Sequence, residues 1–239
     1  MTTIATPLDE HGRRFELVEL DLLATHAGVP LPFPLRIPSF GRIAGEREAS
    51  LRAAGGSLTE RGLATADGPT GLAAALVAAL RGFHSSVDLV VARDGNLTGF
   101  AAMIHEDRAV LCGQPLGGTP SPVTVMRVAY DALADTLAGL LPEVPAAPTL
   151  PITLPPGASA DDPAVEALAS VLPSTVGRGQ LGVVRGSGTE KRPLALSWLD
   201  APSGRVRIDH DDRGWVSVNP LRHNELVHVL REAVALAAG

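Results

Sequence analysis

The sequence predicts an α+β fold in which antiparallel strands form one sheet, or two abutting sheets, with the helices gathered outside it. Three observations point there. Apolar residues recur at helical spacing as far as Phe83 and at a spacing of two from Val87 onward. Turn-forming residues then join successive strands directly, a connection open to antiparallel neighbours. The order of helix, strands and proline-capped helix occurs once before residue 146 and once after residue 157. Helices set apart from hairpins in this way indicate α+β rather than alternating α/β architecture.

Residues 15–17 are short and extended. Residues 18–27 place Leu20, Leu23, Ala24 and Ala27 at helical spacing, and Gly28 and Pro30 stop the helix. Pro30, Pro32, Pro34 and Pro38 forbid regular helix and hold Phe33, Leu35 and Ile37 in an extended arm. Residues 46–54 are rich in helix formers, and Gly55-Gly56 is expected to weaken that helix before residues 58–63. Asp67-Gly68-Pro69 signals a helix start, after which Leu72, Leu76, Leu80 and Phe83 share one face. Strands are predicted at 87–93, 98–105 and 108–113. Asp94-Gly95-Asn96 joins the first two, because Gly and Asn tolerate positive φ, and His105-Glu106-Asp107-Arg108 makes the second turn. A loop covers 114–122. Ser121-Pro122 is expected to cap a helix carrying Met126, Tyr130, Leu133, Leu137 and Leu140 and ending at Pro142.

Residues 146–157 are proline-rich and read as a linker containing a short strand, Ile152-Thr153-Leu154. They join an N-terminal half, 1–145, to a C-terminal half, 158–239, within a single domain. Asp161-Asp162-Pro163 opens a helix with Val165, Leu168 and Leu172, ended by Pro173. Strands follow at 180–185, 194–199, 206–210 and 215–218. Asn219-Pro220 then reads as an N-cap with proline in the first turn, opening a helix with Leu226, Val229, Leu230, Ala233 and Ala237 on one face. The halves share a pattern and hardly any residues, so the expectation is a pseudo-twofold internal repeat.

The chain has 239 residues, and its 20 basic against 26 acidic side chains leave a net charge of −6. That excludes a general binder of nucleic acid or anionic membrane, which needs clustered positive charge. The longest apolar stretch, 71–80, is about half of what spans a bilayer. Residues 1–10 are polar and make no signal peptide. No membrane insertion is expected, and the localisation read from this is cytoplasmic. Cys112 is the single cysteine, which excludes an internal disulfide framework and any cysteine-based zinc site. With 45% hydrophobic but only 3% aromatic residues, the core must be built from Leu, Val and Ala.

Chemistry is hard to place on this chain. Gly177-Arg178-Gly179-Gln180-Leu181-Gly182 spells G-x-G-x-x-G, but it follows a helix end and precedes a strand. A dinucleotide fingerprint needs the reverse order, so a flexible connection is the better reading. Asp209-His210-Asp211-Asp212 reads as a hairpin tip rather than a metal site, and His105-Glu106-Asp107 reads the same way. Cys112, with no base beside it, is a packed thiol. His26 suits a helix C-terminus, and His84, His223 and His228 stand alone. No catalytic residue, metal ligand or cofactor site is assigned, and the chain reads as a non-enzyme without a cofactor.

The ordered motifs say more. Leu20-Asp21-Leu22-Leu23, Leu31-Pro32-Phe33-Pro34-Leu35 and Ser39-Phe40-Gly41-Arg42 resemble the N-terminal portion of the EspG family. Glu46-Arg47 and Leu58-Thr59-Glu60-Arg61-Gly62-Leu63 extend the resemblance, which resumes at Ser86-Val87-Asp88-Leu89 and at Gly179-Gln180-Leu181-Gly182. It closes with Trp198-Leu199-Asp200-Ala201-Pro202-Ser203-Gly204-Arg205 and Gly214-Trp215-Val216-Ser217-Val218-Asn219-Pro220, covering 15–237. The family comprises cytosolic chaperones of mycobacterial and related actinobacterial type VII (ESX) secretion. The resemblance implies a central antiparallel sheet flanked by two helical bundles with pseudo-twofold symmetry. It also implies a function: binding the helical tip of PE/PPE-like heterodimers, without a cofactor, to keep that cargo soluble until the secretion machinery takes it. Asp200-Ala201-Pro202 departs from the Asp-Thr of many relatives, and cargo identity does not transfer.

A helical tip needs an apolar groove with a polar rim. The expected contact is the sheet face with the hairpin Asp94, Gly95, Asn96 and Leu97, supported by helices of the second half. Two other readings stay open: an enzyme using the Asp209-to-Asp212 cluster, and a homo-oligomeric scaffold or homodimer formed through an unpaired sheet edge. A secreted substrate of the same system is disfavoured, since neither Trp198 nor Trp215 makes W-x-G and Ala134 stands four residues after Tyr130.

Overall fold

The computed structural model describes residues 7–148, 151–159, 161–171, 175–185 and 195–238. β4 (Ser85–Arg93), β5 (Asn96–His105), β6 (Arg108–Pro115) and β7 (Val123–Ala129) form an antiparallel meander, and β1 (Arg13–Phe15) closes its outer edge on β7. A second meander comprises β9 (Gly177–Arg185), β10 (Ala195–Ala201), β11 (Gly204–His210) and β12 (Val216–Pro220), with β8 (Ile152–Leu154) on its outer edge. The two join where β4 pairs antiparallel with β9, from Ser85 opposite Arg185 to Arg93 opposite Gly177. One ten-stranded sheet results.

Alternate side chains along each strand serve opposite faces. Val87, Leu89, Ala102, Ile104, Leu111 and Leu181 pack against α5 (Tyr130–Ala138) and α7 (His223–Ala238). Met103, Val110, Cys112, Val123 and Val125 point the other way, toward α2 (Leu17–Ala27), α3 (Ala44–Glu60) and α4 (Gly71–Gly82). The register carries this second face from Leu97 through Ala92, Arg178 and Leu199 to Val206. There α6 (Pro163–Val171) covers Val206, Val218, Ile152 and Leu154 with Ala164, Val165 and Leu168.

Motif residues of the N-terminal portion turn out to be architectural. Glu19, buried on α2, accepts hydrogen bonds from the Arg61 guanidinium, the Ser57 hydroxyl and the Glu16 N–H. Asp21 accepts two from Arg47 and one from the Phe40 N–H, which fastens the loop after the arm to α2. Gln114, fully buried on β6, clamps the arm by exchanging hydrogen bonds with Arg36 N–H and C=O.

Several expectations need correction. Residues 123–129 are strand β7, and the helix begins only at Tyr130. Val123 and Val125 are fully buried between β6 and β1, and that pairing outweighs the helical spacing of Met126. Asn219 and Pro220 end β12 opposite Arg207 and Val206; α7 starts at His223, where Glu225 Oε2 accepts from the Arg222 N–H. α3 runs through Gly55-Gly56 without a break, held by Ala54 and Leu58 in the interior. Gly68-Pro69 forms β3, a two-residue strand paired with β2 (Ala64–Thr65), and α4 follows the N-cap Thr70. The G-x-G-x-x-G run lies inside β9 rather than in a flexible connection. A short helix at the start, α1 (Pro7–His11), had no sequence signal. The helix end at Leu172-Pro173 and the strand start at Leu194 lie outside the described residues.

Candidate partner-binding surface

Asp94 and Gly95 alone make the β4–β5 turn, with φ of 51° and 77°. Two positive values are what a type I′ turn requires, and its twist matches the strands it joins. Arg93 and Asn96 are the last cross-strand pair, so Asn96 and Leu97 belong to β5. Asp94, Gly95 and Asn96 are exposed and Leu97 is half-buried. The tip leans on the chain entering β9 through a hydrogen bond from the Asp94 N–H to the Val176 carbonyl at 3.5 Å. Val176 itself is 44% exposed.

Next to this tip no described residue covers the sheet. On the second face Pro34 lies over Gly99 on β5, and α6 begins its cover at β11. Between them β4, β9 and β10 present a floor with two rungs, Leu97-Ala92-Arg178-Leu199 and Val90-Gln180-Ser197-Ile208. Two depressions share this floor, one of about 390 Å³ on the sheet and one of about 410 Å³ under the hairpin tip. Both are lined by Ala92, Leu97 and Arg178. Val90, Ala92, Leu97, Leu199 and Ile208 make the surface largely apolar, and its polar members include Arg178, Gln180, Ser197 and His210. The four residues anticipated at the hairpin therefore form one end of a longer surface. Sequence reasoning missed Val90, Arg178, Gln180, Leu199 and Ile208, because only the β4–β9 register brings them together.

The opposite face of these strands is locked. Asp200, 3% exposed, accepts hydrogen bonds from Arg205 Nε at 2.6 Å and Nη2 at 3.0 Å. Arg205 is fully buried, bonds the Pro142 carbonyl and stacks its guanidinium 5.7 Å from the Trp198 ring. Arg93, at the base of the hairpin, comes within 3.8 Å of Asp200. The glycines of β9 now have a reason. A Cβ at Gly179 would overlap the Trp198 ring, one at Gly182 would come within 2.9 Å of Asp88, and one at Gly177 within 3.2 Å of Asp200.

Two other recesses contain paired charges. One of about 520 Å³ between α2 and the arm has Asp21 and Arg47 paired to each other. Another of about 860 Å³ beside α7 contains the pairs Arg207–Asp209 and His228–Glu232. Asp211 closes the β11–β12 turn by accepting from the Arg213 and Trp215 N–H groups, while Asp209 and His210, expected in the turn, end strand β11. Among the described residues no group of three or more His, Cys, Asp or Glu is placed to hold a metal ion, and no helix is long and apolar enough to cross a membrane. Burial pushes the Cys112 thiol up to about 12.

A family model described as the EspG family matches residues 16–232. The chain belongs to the EspG family. No curated protein matches it by sequence. Among solved structures it is similar to the Mycobacterium tuberculosis type VII secretion system chaperone EspG5 in complex with the PE25–PPE41 dimer, at 15% identity and a TM-score of 0.60. The match covers 94% of this EspG-family chain and 95% of that one, so the fold is shared nearly end to end.

Proposed function

We propose that this EspG-family protein is a cytoplasmic chaperone that binds the helical tip of PE/PPE-like heterodimers and delivers them to a type VII secretion machinery, with no catalytic step. The related EspG5 is described as a chaperone in complex with a PE–PPE dimer, and family membership supports the same role here. The observation that carries the reading is the uncovered β4–β9–β10 floor ending at the Asp94-Gly95-Asn96-Leu97 hairpin. Apolar side chains on both sides of the polar Arg178 and Gln180 suit reversible burial of an aggregation-prone helix end. Low aromatic content suits handover, since tight anchors are usually aromatic.

We also infer that residues 1–145 and 158–239 are related by a pseudo-twofold axis between β4 and β9, with 146–157 as the connection. In support, each half runs from an edge strand through helical structure (α2 to α4 in the first, α6 in the second) to a four-stranded meander and a closing helix, although β8 comes from the connecting stretch. The axis would then exchange α5 with α7 on one face and α2 to α4 with α6 on the other, as the two flanking helical bundles.

The test is co-expression with neighbouring PE- and PPE-like genes, asking which heterodimer is soluble only when this chain is present. Leu97→Ala combined with Asp94→Asn, which keeps a residue tolerant of positive φ at the turn, should reduce recovery of the complex. Unchanged recovery removes the hairpin from the interface; no soluble heterodimer with any pair removes the chaperone reading.

A further inference from the structure

We infer that the segment seated on the β4–β9–β10 floor is an amphipathic α-helix that brings a carboxylate to Arg178 from within its apolar face. The inference rests on the cargo-binding reading and names the chemistry the cargo must carry.

A helix is favoured over a strand by topology. β4 is paired on both sides, with β5 and β9; β9 lies between β4 and β10, and β10 between β9 and β11. No backbone edge is open on the floor, so strand addition has nothing to bond to. The dimensions agree. Strands lie about 4.8 Å apart, so the axes of β4 and β10 are separated by roughly 10 Å. That is the diameter of an α-helix with its side chains, about 10 Å.

Charge identifies the helix further. Arg178 is exposed on the middle strand of the floor, with Ala92 on one side and Leu199 on the other. Among the described residues it has no ion pair. The acidic groups nearby are engaged, Asp94 with Arg93 and Asp200 with Arg205. Arg93 and Asp94, which also line the depressions, pair with each other, so among the described residues Arg178 is the unneutralised charge of this patch, on a chain of net charge −6. A helix laid over the floor strips water from Arg178, and an unpaired guanidinium at an apolar contact is costly. A carboxylate meets the guanidinium fork with two hydrogen bonds and removes that cost. A helix without one is left with an uncompensated charge beneath it, so Arg178 selects among otherwise similar helices.

The experiment uses the full chain and the PE–PPE-type heterodimer that it keeps soluble on co-expression, with affinity measured by titration calorimetry. Arg178→Ala should weaken binding about tenfold and Arg178→Glu further, while Arg213→Glu, the same charge change on the exposed β11–β12 turn, should leave it within about twofold. Each Asp and Glu of the heterodimer tip is then changed to Arg, and one of these should restore binding to the Arg178→Glu chain. Binding by Arg178→Glu equal to that of the Arg213→Glu control overturns the inference and leaves the chaperone reading intact, and a loss that no single exchange restores does the same. If the parent chain keeps no heterodimer soluble, the chaperone reading fails and the inference fails with it.

Discussion

Asp200 and Arg205 lie five residues apart across the β10–β11 turn, with almost no solvent on either. Truncating one partner leaves the other charged and buried, which costs about 3–5 kcal/mol, whereas apolar replacement of both is often close to neutral. Urea unfolding should therefore show Arg205→Ala strongly destabilised and Asp200→Leu with Arg205→Met nearer to the parent. Gly179 makes a second prediction. Gly179→Ala drives a methyl into Trp198 and should cost about 1–3 kcal/mol, while Gly117→Ala, with nothing within 4 Å, should cost less than 1 kcal/mol by the same measurement. Cys112 gives a pH dependence. Its thiol stays protonated in the fold up to about 12, against 9.0 for a free thiol, so folding retains a proton that the unfolded chain releases. The resulting stability is fully present below about pH 9 and declines as pH rises toward 12. A urea midpoint measured from pH 8 to 10.5 should fall, and Cys112→Ala should remove part of that fall. The motif residues were visible in the sequence, but their reasons were not. G-x-G-x-x-G looks like a phosphate loop until β9 is set between Asp88 on one side and Trp198 and Asp200 on the other.

Single elements show where local signals suffice. The β4–β5 and β5–β6 hairpins were legible because Asp94-Gly95 and Glu106-Asp107 are turn chemistry at the tip, and among the described residues Asp94 and Glu106 are the non-glycine ones at positive φ. Residues 123–129 were misread because Met126 and Tyr130 fit a helical face that continues into α5. Pairing with β6 and β1 decided the matter, and it leaves no mark on the spacing of apolar residues within 123–129. α3 was underestimated for a related reason. Glycine weakens an isolated helix, but Leu58 and Ala54 are anchored beside α2, so tertiary contact holds the turn at Gly55-Gly56. Gly56 is exposed with nothing within 4 Å of an added Cβ. Gly56→Ala should stabilise the protein by about 0.5–1 kcal/mol, read as a higher urea midpoint with an unchanged slope.

At the scale of the molecule, a continuous sheet places the proposed docking floor in the middle and short strands at the rims. β1 and β8 are three residues each, and Pro151, Pro155 and Pro156 flank β8, so neither rim offers a long backbone edge to a second copy. The floor depends on β4 and β9 being neighbours, a contact between residues about ninety positions apart that no periodicity announces. Hydroxyl-radical footprinting of the chain, alone and with its co-expressed heterodimer, tests the surface most directly. Leu97, Val176, Leu199 and Ile208 should lose reactivity in the complex, while Phe33, Ile43 and Trp215 keep theirs. Protection of those last three, with Leu97 and Ile208 still reactive, would contradict a docking surface on β4, β9 and β10.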